Sequence, residues 1–324
     1  MSEKTVTYSK NVFLPLTHVC ANACGYCSFK EPVGPGCVMP KQEVLATLQR
    51  GAQFGCTEAL FTFGERPGLE RGFTAYVREL GYDTILDYCY AMCEKAITLG
   101  MLPHTNAGIL TYEELRRFRK VNASMGLMLE TTAEIPAHEH SPGKRPEVRI
   151  EMLENAGRLK IPFTTGLLLG IGETRDDRID SLNVIADIAK RYGHIQEVII
   201  QNFCPKEGTV MACVPGASIE ILADTLRLAA EILPSSVSVQ IPPNLADAGA
   251  LLSLGVDDLG GVSPITIDYI NPEHPWPGID ALREITKGRM LSERLCIYEH
   301  YCTAEWVDSS LLPLVQKLAK KVYS

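Results

Sequence analysis

Short apolar runs alternate along the chain with longer stretches in which apolar positions recur every three or four residues. The short runs predict strands at Val12–Thr17, Glu58–Phe63, Met101–His104, Gly126–Glu130, Phe163–Leu169, Glu197–Phe203, Ser236–Ile241 and Val256–Leu259. The longer stretches predict helices over Lys41–Gly55, Thr84–Leu99, Thr111–Val121, Pro146–Leu159, Arg175–Tyr192 and Ser218–Leu233. Pro40 suits a first helical position, Thr111-x-x-Glu114 reads as a capping box, and Gly55, Gly100 and Gly157 suit helix ends or turns. Strands alternating with helices of this length imply parallel pairing through crossovers. Several strands are nearly all apolar, Phe163-Thr-Thr-Gly-Leu-Leu-Leu169 among them, as expected where both faces are covered. Eight such repeats predict the α/β class and a (β/α)8 TIM-type barrel, complete or slightly open. An open doubly wound sheet is the alternative. Residues 1–324 read as one domain, with a C-terminal helical extension from about 280 to 324.

Composition narrows the function classes. The chain has 324 residues, 46% apolar and 22% charged, which excludes a disordered or fibrous protein. Lys plus Arg is 31 and Asp plus Glu is 39, a net charge of −8, which argues against nucleic acid or an anionic membrane as partner. No apolar run is long enough to span a bilayer, and the first residues lack a signal peptide's apolar core. A cytoplasmic location is expected. Eleven cysteines are an odd number, and a disulfide framework is not expected in that compartment.

The chemistry concentrates in Cys20-Ala-Asn-Ala-Cys24-Gly-Tyr-Cys27, a C-x3-C-x2-C run directly after the first predicted strand. A barrel places that loop at its catalytic face, making it a cluster-binding loop. Three thiolates can hold three irons of a [4Fe–4S] cluster and leave the fourth iron open to a small molecule. Zinc is the alternative, but it normally takes four protein ligands when structural, and only His18 lies near enough to complete a local set.

This motif resembles that of the radical S-adenosylmethionine superfamily. The resemblance implies that the amino and carboxylate groups of S-adenosyl-L-methionine chelate the open iron. Reductive cleavage of the sulfonium then yields a 5′-deoxyadenosyl radical. Tyr26 matches the family's aromatic position near the adenine. Phe61-Thr-Phe-Gly64-Glu65-Arg66-Pro67 resembles the segment that receives the methionine amino group, so Gly64 and Glu65 are expected cofactor contacts. Glu130, closing the fourth predicted strand, and Arg149 match a Glu and Arg that hold the same cofactor in related barrels. A structural ion pair is the bland reading of these two. Gly170 and Gly172 match a glycine-rich turn beside the adenine, while Glu173 is expected to pair locally.

Longer segments resemble the CofG-type subunit of FO synthase, which makes the deazaflavin core of coenzyme F420. They include Pro103-His-Thr-Asn106-Ala-Gly108, Ala137-His-Glu-His140-Ser-Pro142, Gln240-Ile-Pro-Pro-Asn-Leu245 and Gly260-Gly-Val-Ser-Pro264. Looser forms occur in the CofH-type subunit and in futalosine-pathway enzymes, which remain alternatives beside a non-catalytic zinc or iron–sulfur protein. The resemblance implies radical cyclisation, with ammonia loss, of a 5-amino-5-(4-hydroxybenzyl)-6-(D-ribitylimino)-dihydrouracil adduct. It also implies a CofH-type partner that supplies the adduct and an electron donor such as ferredoxin or flavodoxin. Asn106, Asn202 and Asn244 at strand ends suit pyrimidine edges and ribityl hydroxyls, or simply cap turns. His138, His140 and Asp268 are weak candidates for proton transfer, the two histidines reading more readily as solvated. Cys89 and Cys93, four apart on a helical pattern, are expected to face the core. From the family pattern, Leu259 stands where Trp is common and is expected near the barrel mouth.

Overall fold

In the computed structural model, residues 5–323 are described. The apolar runs become a parallel sheet of β1 (Val6–Pro15), β2 (Glu58–Thr62), β3 (Leu102–Asn106), β4 (Ser124–Gly126), β5 (Phe163–Leu169), β6 (Ile195–Asn202), β7 (Ser238–Gln240) and β8 (Asp258–Val262). The sheet closes, because β1 pairs with β8 through Thr7–Lys10 and with β2 through Asn11–Pro15. The barrel is therefore complete, and the open doubly wound alternative is excluded.

The amphipathic stretches become α1 (Lys41–Gln53), α2 (Phe73–Glu79), α3 (Ile85–Thr98), α4 (Tyr112–Phe118), α5 (Pro146–Arg158), α6 (Arg175–Tyr192), α7 (Ile219–Ile232) and the single turn α8 (Ala248–Leu251). Thr84, Thr111 and Thr174 each form a reciprocal capping box with the acid three residues on. Cys89 and Cys93 are fully buried on α3, as their spacing predicts. Among the described residues no helix is long and apolar enough to cross a membrane.

Most strand boundaries differ from expectation by a few residues, and two of them do so for instructive reasons. β1 begins six residues early, because Ser9 and Asn11 interrupt the apolar pattern yet are buried and face the barrel lumen. β4 ends at Gly126 rather than Glu130, whose φ of 70° is a left-handed conformation that a strand cannot continue.

The expected helical C-terminal extension is only partly helical. After α9 (Ile279–Ile285) the chain forms a ninth strand, β9 (Leu291–Arg294), parallel to the start of β1, before ending in α10 (Leu312–Val322). Its sequence, Leu-Ser-Glu-Arg, carries no apolar alternation because the strand is short and lies at the sheet's lower edge. The segment after it packs Leu295, Ile297, Tyr301, Val307, Leu311 and Val315 with Leu102 and Ala123 as a second apolar cluster. That cluster closes the end of the barrel opposite the catalytic loops, and Arg294 reaches from it into the lumen.

Candidate active site

The loop after β1 carries Cys20, Cys24 and Cys27, all half-buried and outside any disulfide. They open onto one cavity of about 380 Å³, shared with Tyr26, Glu65, Glu130, Lys144 and Arg149. The loop is held by its backbone. Ala21 N–H donates to Glu65 O at 2.8 Å, Ala23 N–H to His140 O at 3.1 Å, and Gly25 N–H to Ala137 O at 2.8 Å. Two donors also meet the sulfurs: Glu65 N–H to Cys20 Sγ and Ser141 O–H to Cys24 Sγ, both at 3.2 Å.

The thiols fit an iron–sulfur cube. Sulfurs offered by one short loop and supplied with hydrogen-bond donors match the ligand chemistry of such clusters. Among the described residues no three His, Cys, Asp or Glu side chains gather around one point as a mononuclear ion requires. A cube does not require it, since each thiolate takes a different iron. The cavity also suits a polar nucleotide-like ligand, because Thr62 Oγ1 and Asn202 Oδ1 line it, are buried and have no partner.

Glu65 sits where Gly64 turns the chain. A Cβ at Gly64 would lie 2.0 Å from Val19 O, so only glycine lets the two loops touch. The Glu65 carboxylate accepts from Asn22 Nδ2 at 2.9 Å and Ile109 N–H at 3.1 Å, with Arg149 Nη2 at 3.6 Å. It thus clamps the cysteine loop to the loop after β3. Asn22 extends the clamp by accepting from Gly143 N–H at 3.1 Å.

Glu130 lines the cavity and pairs with Lys144. Burial alone would raise its carboxyl, but Lys144 and Arg149 outweigh that and hold it below the usual carboxylate range. Its left-handed backbone is over-determined, with its N–H on Gly166 O at 3.0 Å and its carbonyl accepting from Leu168 N–H at 3.2 Å. Arg149 Nε donates to Gly143 O at 3.0 Å, and its guanidinium also donates to Met128 O. The structure thus brings Glu65, Glu130 and Arg149 to one cavity and adds Lys144, which sequence reasoning missed. Its only signal was membership of the Ser141-Pro-Gly-Lys144 turn.

The remaining candidates separate. Tyr26 lines the cavity, and its hydroxyl shares a hydrogen bond with His138 Nε2 at 3.1 Å. Burial pushes His138 down to about 4, so it is neutral at pH 7. His140 is exposed. Asn106 and Asn202 line the cavity. Asn244 does not; its amide donates to Asp268 Oδ2 at 3.0 Å and His274 O at 2.9 Å. Asp268 itself accepts from the Ile270 and Asn271 N–H groups, which makes it the organiser of that loop. Gly170 and Gly172 lie off the cavity wall. Their φ values of 89° and 118° form the turn into α6, where Glu173 accepts from Gly170 N–H at 2.8 Å and Ile171 N–H at 2.9 Å. Leu259 is fully buried in a second, lower chamber rather than at the mouth.

The profile of the Radical SAM superfamily matches residues 14–185, from the last turn of β1 into α6. The chain belongs to the radical SAM superfamily. Full-length relatives narrow this further. A protein of Methanoregula boonei named 7,8-didemethyl-8-hydroxy-5-deazariboflavin synthase is 59% identical over 322 residues, 99% of this chain and 98% of the relative. One of the same name from Methanoculleus marisnigri is 61% identical over 324 residues, 99% and 97% of the two chains. This chain is a member of that family and an enzyme of the radical SAM type. Among solved structures, methylornithine synthase superposes with a TM-score of 0.66 at 17% identity, covering 90% of this chain and 84% of its own. The hydrogenase maturase HydG from Carboxydothermus hydrogenoformans gives 0.68 at 16%, covering 99% and 80%. At such identities these two support the fold alone.

Proposed function

We propose that the enzyme forms the deazaflavin FO by radical cyclisation, with ammonia loss, of the 5-amino-5-(4-hydroxybenzyl)-6-(D-ribitylimino)-dihydrouracil adduct. A CofH-type partner would supply the adduct, and a ferredoxin- or flavodoxin-type donor the electron. One observation carries the reading. Three half-buried thiols and the Glu130–Lys144 pair open onto one cavity, in a chain that matches FO synthases along nearly its whole length.

Cys20, Cys24 and Cys27 would hold the cluster, and Tyr26, Glu65, Glu130, Lys144 and Arg149 border the place for S-adenosyl-L-methionine. When bound, these groups supply the hydrogen-abstracting radical. The chain's own residues do the rest. Glu130 and Lys144 present one negative and one positive group side by side, suited to a zwitterionic tail. Phe13, Leu60, Phe63, Ile199 and Phe203 line the cavity with apolar surface that keeps water from a reactive carbon. Lys206 pairs with Glu273 beside the cavity, joining the loop after β6 to the loop after β8. Asn106 and Asn202 offer amide edges to a pyrimidine. His138, neutral and tied to Tyr26, orients that ring.

Anaerobic reconstitution with iron and sulfide, then reduction with S-adenosyl-L-methionine and the adduct, tests this. FO fluorescence together with 5′-deoxyadenosine is the expected result. Formation of 5′-deoxyadenosine without FO would overturn the substrate assignment.

A further inference from the structure

Below the cluster cavity the barrel lumen holds a second chamber of about 180 Å³. That is several times the roughly 30 Å³ taken by one liquid water, so it is no single-water site. Lumens of this barrel class are ordinarily filled by layers of branched apolar side chains. Here polar groups interrupt the apolar wall: those of Asn11, Asn106, Gln201, Gln240, Asn271 and Trp276 belong to residues that line the chamber. Two of them are unpartnered. Asn11 is 1% exposed, and its Oδ1 has no hydrogen bond; neither has the buried Trp276 Nε1. A buried acceptor and a buried donor left unmade in one chamber point to an occupant carrying both functions.

The floor tells which charge that occupant has. Arg294 Nη2 donates to Asp258 Oδ1 at 2.7 Å and to Glu197 Oε2 at 3.1 Å, so the one cation there is already committed. Ser9 O–H donates to Glu58 Oε2 at 2.6 Å. Burial pushes the Glu197 carboxyl up to about 8 and raises Glu58 as well, so the floor disfavours further negative charge. A phosphate would face three carboxyl groups with no free cation. A neutral ligand rich in hydroxyls fits. Asn106, Gln201 and Asn271 line both this chamber and the cluster cavity, so the two communicate.

We propose that the lower chamber is the subsite for the substrate's neutral polyhydroxyl chain, anchoring it on the Asn11 and Gln201 amides while the reacting carbon stays beside the cysteine loop. This rests on the deazaflavin reading above. Each amide both donates and accepts, as each hydroxyl does, which makes the match specific for a polyol over an alkyl chain.

The test compares three substrates on the reconstituted enzyme: the adduct, an analogue with a pentylamino chain in place of ribitylamino, and the adduct phosphorylated at the chain terminus. The expected result is a loss of about 100-fold or more in kcat/KM for the pentyl analogue, since a site built to bond hydroxyls rejects their absence. A loss of about tenfold or more is expected for the phosphorylated chain. In Asn11→Leu, and independently in Gln201→Met, the polyol-over-pentyl preference should fall at least about tenfold through KM for the adduct. Iron content per chain reports that each variant folds. Equal use of the pentyl analogue, preference for the phosphorylated chain, or unchanged discrimination in both variants would overturn the subsite while leaving FO formation standing. Absence of FO from the wild type with the adduct would instead remove the deazaflavin reading, and the subsite with it.

Discussion

The rim and the floor of one barrel lumen handle buried charge in opposite ways. At the rim, Glu130 meets Lys144 and Glu65 meets Arg149, so each carboxylate has a cation and Glu130 is held ionised. At the floor, Glu197 and Asp258 share Arg294 while Glu58 accepts from Ser9, and burial pushes the Glu197 carboxyl up to about 8. The rim groups come from the loops after β2 and β4 and from α5, whose positions depend on one another. The floor groups stand on strands β2, β6, β8 and β9, where the sheet ladder sets their positions. A charged rim suits a zwitterionic sulfonium ligand, and a neutral floor suits an uncharged one. The same fold achieves both because one cation shared among buried acids leaves desolvation dominant at Glu197, whereas Lys144 and Arg149 together outweigh it at Glu130.

The comparison can be broken most severely at the rim's sulfurs. Replacing Cys20, Cys24 or Cys27 by Ala should abolish cluster binding, with 5′-deoxyadenosine formation falling by more than about a thousandfold. Iron content and visible absorbance check it. At the floor, Arg294→Leu strips Asp258 and Glu197 of their cation and should cost about 3–5 kcal/mol, read as a lowered denaturant midpoint. Lys144→Met at the rim leaves Glu130 facing Arg149 alone. It should weaken S-adenosyl-L-methionine binding by about tenfold, or about 1.4 kcal/mol, measured by titration of the reconstituted enzyme.

The pH response sharpens the contrast. Glu197 binds its proton more tightly folded than unfolded, so between the ordinary carboxyl value and about 8 the native state carries the extra proton. That stability is present at acid pH and is lost as pH rises through about 8. Urea midpoints should therefore fall between pH 6.5 and 8.5, and Glu197→Gln should flatten the decline. An unchanged slope in that variant would place the proton elsewhere. The smallest effect is expected at the half-exposed Lys206–Glu273 bridge, where Lys206→Ala should shift stability by no more than about 1 kcal/mol.

Several of these features were legible in the chain itself. The cysteine spacing is local, and so is the capping box at Thr111, because partners three or four residues apart need no fold to meet. The largely apolar β5 was read with its exact ends for the same reason. Glu130 and Arg149 were singled out only through resemblance. Lys144 escaped because a lysine in a turn has no pattern of its own. Gly170 and Gly172 were expected beside a ligand, yet their positive φ angles serve the turn into α6. Asn244 was expected among the groups facing the substrate, and its amide bonds Asp268 instead.

What the sequence determined by itself was periodicity and short-range chemistry: an eightfold alternation and three thiols within eight residues. Only the tertiary structure decided that the barrel closes, that β9 carries Arg294 beneath it, and that Ser9, Asn11 and Glu58 point inward rather than to solvent. The reason is physical. A polar residue in a strand looks the same whether it faces water or an enclosed chamber, and pairing residues 258 and 294, or 65 and 149, requires the closed sheet to bring them together.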